Sequence, residues 1–228
     1  MGEGIEIHRG IYLVGGPNLT HSEDATVFLI DCDGELVMID SGAGRSVSRI
    51  EQAIRNLNYD PADIAAIILT HCHIDHIGGA PHFVGNFGCS LVAHELDAEA
   101  IEKGDPLQTA ANLYGSVFPP TPVDVKLEGD EEILSFGRQE LRCIHTPGHT
   151  PGSISVLVDR EGTRVLFGQD IHGPFMRAFR SDIEAWKASM RKLLELEPDI
   201  LCEGHFGIFK SKERVRSYIE SYLEQYER

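Results

Sequence analysis

Three things are scarce in this 228-residue chain: positive charge, paired cysteines and long apolar runs. Only 20 lysines and arginines stand against 36 aspartates and glutamates, a formal net charge of -16 that is spread along the chain instead of gathered in a tail. Such a chain repels polyanions, which argues against nucleic acid as a partner. The five cysteines, Cys32, Cys72, Cys89, Cys143 and Cys202, are odd in number, form no CxxC pair and mostly sit inside apolar runs. They read as buried reduced thiols in a reducing compartment. No apolar run approaches the ~18 to 20 residues that cross a bilayer. No basic stretch followed by an apolar one opens the chain, so the expectation is a cytoplasmic protein with no membrane partner. Low-complexity tracts and Pro/Ser/Gly-rich linkers are missing as well. What remains, 42% hydrophobic and 25% charged residues, describes an ordinary globular chain, expected to form one domain over residues 1–228.

Short apolar runs separated by polar turns open the sequence, at residues 5–14, 26–30 and 36–39, and predict a strand meander. Ser46 is expected to cap a helix whose apolar positions Val47, Ile50, Ala53, Ile54 and Leu57 fall on one face. Residues 65–69 and 90–93 are continuous apolar runs, as in strands covered on both sides, with a short helical stretch expected from near His76. The second half repeats the plan, with candidate strands at 123–127, 140–145, 153–158, 164–167 and 200–202. Ser181 with Glu184 three residues on reads as a capping box ahead of an apolar stripe of Ile183, Trp186, Met190, Leu193 and Leu194. A final helix carries Val215, Ile219 and Leu223 beside three tyrosines as a packing face. Strands followed by helices, twice over and without a residue-level repeat, predict an α/β fold of two packed sheets with helices outside, a four-layer α/β/β/α sandwich.

The chemistry gathers in the run THCHIDHIGG. His71, His73, Asp75 and His76 follow the apolar strand 65–69, on the loop where a strand hands over to a helix. In extended chain His71 and His73 point the same way and can share one metal, while Cys72 points away. Asp75 and His76, at the turn into the helix, can face a second ion. Imidazole and carboxylate without thiolate suit Zn²⁺ and also admit Fe, Mn or Co. Three more candidates, His149, Asp170 and His205, each sit just past the end of a predicted strand, beside glycines or prolines that permit tight loops. Strand ends of one sandwich can converge on a single edge.

On these residues the chain resembles the metallo-β-lactamase-fold superfamily, and most of all its glyoxalase II and lactonase-like hydrolases. The HxHxDH run, Asp40 in MIDSG, His149, Asp170 and His205 come in the family's order over essentially the whole length. The resemblance implies two divalent metal ions, zinc first. His71, His73 and His149 would hold one ion and Asp75, His76 and His205 the other, with Asp170 bridging and Asp40 bracing the cluster loop. One departure is GQD where many relatives read GD, and it leaves Asp170 intact. Hydroxide between the two ions would be the nucleophile, with Asp75 as the catalytic residue that orients it or takes its proton.

The expected reaction is hydrolysis of an ester-like bond in a small molecule, whether thioester, lactone or phosphoester, which the metal core alone does not separate. A homodimer is left open. Residues 103–122, with Tyr114, Phe118 and several prolines, could cover the metals as a lid. Arg177 and Arg180 could reach an anionic group and His172 could line the pocket, whereas His94 and His145 read as packing or supporting residues. One competing reading is a persulfide dioxygenase-like oxidoreductase with a single iron on His71, His149 and Asp170. A nucleic-acid-processing relative is disfavoured by the acidity. An electron-transfer protein would need broken ligands or a flavin-binding extension.

Overall fold

The computed structural model describes residues 3–227. Strands β1 (Ile5–His8) and β2 (Ile11–Gly15) form a hairpin where the sequence suggested one run, because Arg9 and Gly10 turn the chain with Gly10 at φ +70°. Then come β3 (Val27–Asp31), β4 (Leu36–Ile39), α1 (Val47–Asn56), β5 (Ile64–Ile68), α2 (Ile74–Ile77), α3 (Ala80–Phe87), β6 (Ser90–His94), α4 (Glu95–Lys103) and β7 (Val125–Leu127). These seven strands make one sheet in sequence order, antiparallel as far as β4 and parallel from β4 to β7.

The second sheet holds β8 (Glu131–Phe136), β9 (Gln139–His145), β10 (Ile154–Arg160), β11 (Thr163–Gln169), β12 (Ile200–Glu203) and β13 (Ile208–Lys210), in the order β13-β12-β11-β10-β9-β8. Helix α5 (Ile183–Glu195) joins β11 to the parallel strand β12, and α6 (Lys212–Glu227) follows β13. Among the described residues no helix is long and apolar enough to cross a membrane.

The period-two alternation of each strand sorts side chains into three apolar layers. Phe28 and Ile30 of β3 face the second sheet, where the Phe28 ring meets that of Phe167 edge-on at 5.1 Å. Val27 and Leu29 face the opposite way, toward α1, α3 and α4. In the second sheet Val156 and Val158 look inward, while Leu157 packs under Trp186, Met190 and Leu193 of α5 and Ile219 of α6. The four-layer α/β/β/α sandwich expected from the sequence is therefore the observed fold.

Strand direction positions the site. Parallel β4, β5 and β6 end on one edge of the first sheet; β9, β11 and β12 run in a common direction and end on one edge of the second. Hydrogen bonds join the two edges, from Ile154 N to the Thr70 carbonyl (2.8 Å) and from Thr26 N to the Gly204 carbonyl (2.8 Å).

Two helix starts differ in detail from expectation. Ser46 precedes α1 without capping it and instead donates its hydroxyl to Asp24. Asp182, not Ser181, caps α5, its Oδ1 accepting from Glu184 N (2.9 Å) and Ala185 N (3.0 Å). Ser181 is thereby free to donate to the His149 carbonyl at 2.6 Å.

Candidate metal centre

Each residue singled out in the sequence as a ligand arrives from the end of a same-direction strand. Asp40 closes β4, and His71, His73, Asp75 and His76 follow β5. His149 lies on the β9–β10 turn, Asp170 follows β11 and His205 follows β12. The extra residue of GQD is absorbed by an irregularity in the β11–β12 pairing between Phe167 and Gln169. There Gln169 takes φ +51° and its side-chain carbonyl accepts from Asp170 N at 2.7 Å.

The chain folds these groups into two sets. Ligand atoms of His71, His73, His149 and Asp170 lie within 4.8 Å of one another, as do those of Asp75, His76 and His205. In the first set His73 Nδ1 stands 3.1 Å from His71 Nε2 and 2.9 Å from His149 Nε2. Asp170 joins the halves: Oδ2 is 3.5 Å from His149 Nε2, while Oδ1 is 3.2 Å from His76 Nε2 and 3.4 Å from His205 Nε2. Asp75 Oδ2 lies 3.3 Å from His205 Nε2.

The surrounding hydrogen bonds decide which ring nitrogen faces inward. Asp40 accepts Thr70 N and the Thr70 hydroxyl on its two oxygens (2.8 Å each), and its Oδ2 also accepts His76 Nδ1 at 2.7 Å. With the Thr70 proton committed to Asp40, His71 Nδ1–H donates to Thr70 Oγ1 (3.2 Å). His149 Nδ1–H donates to the Pro174 carbonyl (3.0 Å). His71 and His149 therefore each turn an Nε2 lone pair toward the centre, His76 turns its Nε2 there as well, and His73 alone presents Nδ1.

Electrostatics separate the sets. Burial lowers His71, with the imidazoles of His76 and His73 adding to it; burial likewise lowers His73, and it brings His149 to about 4. These three are neutral, as ligands must be. Burial also opposes the charged forms of His76 and His205, but nearby carboxylates outweigh it. Asp170, Asp40 and Asp75 hold His76 well above its usual value, and Asp170 and Asp75 bring His205 to about 10. Against the burial penalty, His76 and His205 keep Asp170 ionised. Protons thus sit where a cation would.

The donor set fits divalent metals. Three imidazole nitrogens, His73 Nδ1 and the Nε2 atoms of His71 and His149, crowd together at 2.9 to 3.1 Å, and the buried Asp170 carboxylate meets His76 Nε2 at 3.2 Å and His205 Nε2 at 3.4 Å. Tetrahedral zinc with Zn–N bonds of about 2.0–2.1 Å places its ligand nitrogens about 3.3 Å apart, close to the observed spacings.

Two carboxylates that sequence reasoning missed hold the loops. Buried Asp97, in the first turn of α4, accepts from Cys72 N (3.0 Å), Thr150 Oγ1 (2.7 Å) and Gly152 N (2.8 Å), tying the His71–His73 loop to the His149 loop. Buried Glu203 accepts from His205 N and Phe206 N (2.7 Å each) and from His172 Nδ1 (2.9 Å). A charged residue closing the apolar strand β12 was the available signal for Glu203. Asp97 gives none until the loops are placed.

His172 does line the site cavity, about 180 Å³, as do Ala110, Leu113 and Tyr114 from the 103–122 segment. Arg177 and Arg180 are outside it, exposed beside a neighbouring cavity with Phe175 and Met176. Phe179, between them, turns inward against the His73 ring at 4.1 Å. His94 and His145 stack on each other at 3.9 Å, away from the ligand sets.

Known proteins resemble this chain to different depths. The Metallo-beta-lactamase superfamily model matches residues 23–205. A metallo-beta-lactamase fold-containing protein of Sulfurisphaera tokodaii is 26% identical over 90% of this chain and 81% of its own length. The acyl-coenzyme A thioesterase MBLAC2 of Gallus gallus is 28% identical over 87% and 78%. Among solved structures, an HARLDQ-motif mutant of a metallo-beta-lactamase from Cronobacter sakazakii shares the fold with a TM-score of 0.86 at 24% identity, covering 100% of this chain and 96% of that one. The chain belongs to the metallo-beta-lactamase superfamily, and its paired histidine and aspartate sets lie where the ends of the two sheets meet.

Proposed function

We propose that this protein is a two-metal hydrolase of an ester-like bond in a small molecule, with thioesters the first substrates to test. The observation that carries the reading is Asp170, which turns one carboxylate oxygen toward each histidine set. His71, His73 and His149 would hold one ion, Asp75, His76 and His205 the other, and Asp170 both. Zn²⁺ is the first choice for this nitrogen and oxygen donor set, with Fe, Mn or Co admitted. When bound, such a pair supplies an acidified water and polarises the scissile carbonyl or phosphoryl group.

The chain's own groups do the rest. Asp75 faces the cavity and is placed to orient the attacking water and take its proton. Apolar walls at Ala110, Leu113 and Phe179 limit competing water. Residues 103–122, which supply one wall, would select the substrate as a lid. The thioester preference is supported by the similarity to an acyl-coenzyme A thioesterase. A single-iron oxygenase would keep the same residues and use one iron on His71, His149 and Asp170, so metal analysis showing a single Fe would favour that reading instead.

The test is to strip the protein with chelator and reload it with zinc, iron, manganese or cobalt. Each form is then assayed on a thioester, a lactone and a phosphodiester. Hydrolysis that returns only with metal supports the reading; full activity in metal-free protein overturns it.

A further inference from the structure

We propose that Tyr114 is a catalytic residue of this site, its phenol being the hydrogen-bond donor to the reacting carbonyl oxygen of the substrate. The inference rests on the hydrolase reading above and adds a residue outside both ligand sets. Apart from those sets, among the described residues only Tyr114 and His172 bring polar side chains to the cavity wall; the remainder is apolar. His172 is tied through Nδ1 to buried Glu203 and stands with Asp170 and His205. Tyr114 comes from the opposite segment and lines the same cavity as Asp75.

The residue is fixed from behind. Arg45 Nη2 donates to the Tyr114 carbonyl at 3.0 Å, while Arg45 Nη1 is held by Glu23 at 2.7 Å. Tyr114 N donates to the Ala111 carbonyl at 3.2 Å, closing the turn that presents the ring. A phenol anchored this way, beside the carboxylate that handles the attacking water, faces the place where charge develops. A phenol, with an ordinary pKa of ~10, is a neutral donor at neutral pH.

In the step this implies, the water oxygen bonds to the carbonyl carbon as Asp75 takes the water's proton. The π pair of the C=O bond moves onto oxygen, which Tyr114 hydrogen-bonds without surrendering its own proton. The bond from carbon to the sulfur or oxygen of the leaving group then breaks with its electron pair, and the leaving group departs with the proton held by Asp75. The products are one acid and one thiol or alcohol. A preorganised donor inside apolar walls serves the oxyanion better than the ground-state carbonyl, so its effect falls on kcat.

The experiment uses metal-reloaded full chain, wild type and Tyr114→Phe, with 4-nitrophenyl acetate and phenyl thioacetate as substrates. Calorimetry measures binding of phenyl methylphosphonate, a tetrahedral anion. Expected for Tyr114→Phe is a kcat lower on the order of 100-fold, with KM within about threefold. Phosphonate binding should weaken by a factor similar to the loss in kcat, and the metal content should be unchanged. If the variant matches wild type in kcat and phosphonate affinity, the proposal falls while the hydrolase reading stands. If its lost activity tracks lost metal, Tyr114 merely props Asp75 and the proposal also falls. A wild type that neither hydrolyses the esters nor binds the phosphonate overturns the hydrolase reading itself.

Discussion

The Asp97 carboxylate receives the backbone N–H of Cys72 at 3.0 Å, gripping the chain midway between His71 and His73. Its remaining bonds go to Thr150 and Gly152, on the turn that carries His149. One buried side chain therefore sets the spacing of three imidazoles contributed by two sheets. Asp97→Ala would leave two backbone donors and a hydroxyl without their acceptor in a buried place. The expected loss is about 3 kcal/mol, read from urea unfolding of metal-free protein, with weaker binding of the first metal. An unchanged unfolding midpoint would show that the clamp is dispensable.

Gly204 offers a cleaner way to disturb the centre. A Cβ built there would lie 2.3 Å from Asp170 Oδ1 and 3.2 Å from His76 Cε1. Gly204→Ala should displace the shared carboxylate and lower metal affinity by about 10- to 100-fold, the range for a disturbed ligand environment, while circular dichroism stays native. Normal metal binding by this variant would mean that Asp170 can shift without consequence.

Acid stability should depend on His94. Burial first, and the stacked imidazole of His145 second, lower it to about 4. Its usual value is ~6.5, so between these limits the unfolded chain binds the extra proton and the folded chain does not. This contribution is complete above about pH 6.5 and is lost as pH falls toward 4, on the order of 3 kcal/mol in all. His94→Asn keeps an acceptor for Leu96 N, which His94 Nδ1 binds at 3.3 Å, but removes the titration. Unfolding free energies at several pH values should show a shallower slope for the variant across this window; parallel slopes would refute the assignment.

Metal uptake should release protons unevenly. The first set is already neutral, whereas His205, held at about 10, and His76, held above its usual value, must each lose a proton. Affinity of the second set should therefore rise more steeply between pH 6 and 8 than that of the first. Calorimetry in buffers of different ionisation enthalpy separates the two, and equal proton release by both events would contradict the charge pattern.

The sequence displayed the chemistry better than its supports. HxHxDH is contiguous, and His149, Asp170 and His205 stand at the ends of recognisable apolar runs, so local pattern was enough to single them out. Strand β8 escaped because Glu131–Phe136 is an edge strand with alternate residues exposed and charges at its start. The α5 cap was misplaced by one residue because Ser181 and Asp182 are both good caps, and only the nearby His149 carbonyl decides between them. Asp97 could not be read at all. Its partners lie 25 to 55 residues away, and an aspartate in a helical first turn looks like any solvated end.

Metal stoichiometry tests the central claim most directly: metal per chain by mass spectrometry in wild type, His149→Ala, His205→Ala and Asp170→Ala after reloading and gel filtration. The account predicts about two ions in wild type, about one in each histidine variant and at most one without Asp170, by the loss of a ligand from each coordination shell. A wild type that binds a single ion, together with a His205→Ala variant that keeps it, would contradict the two-metal centre.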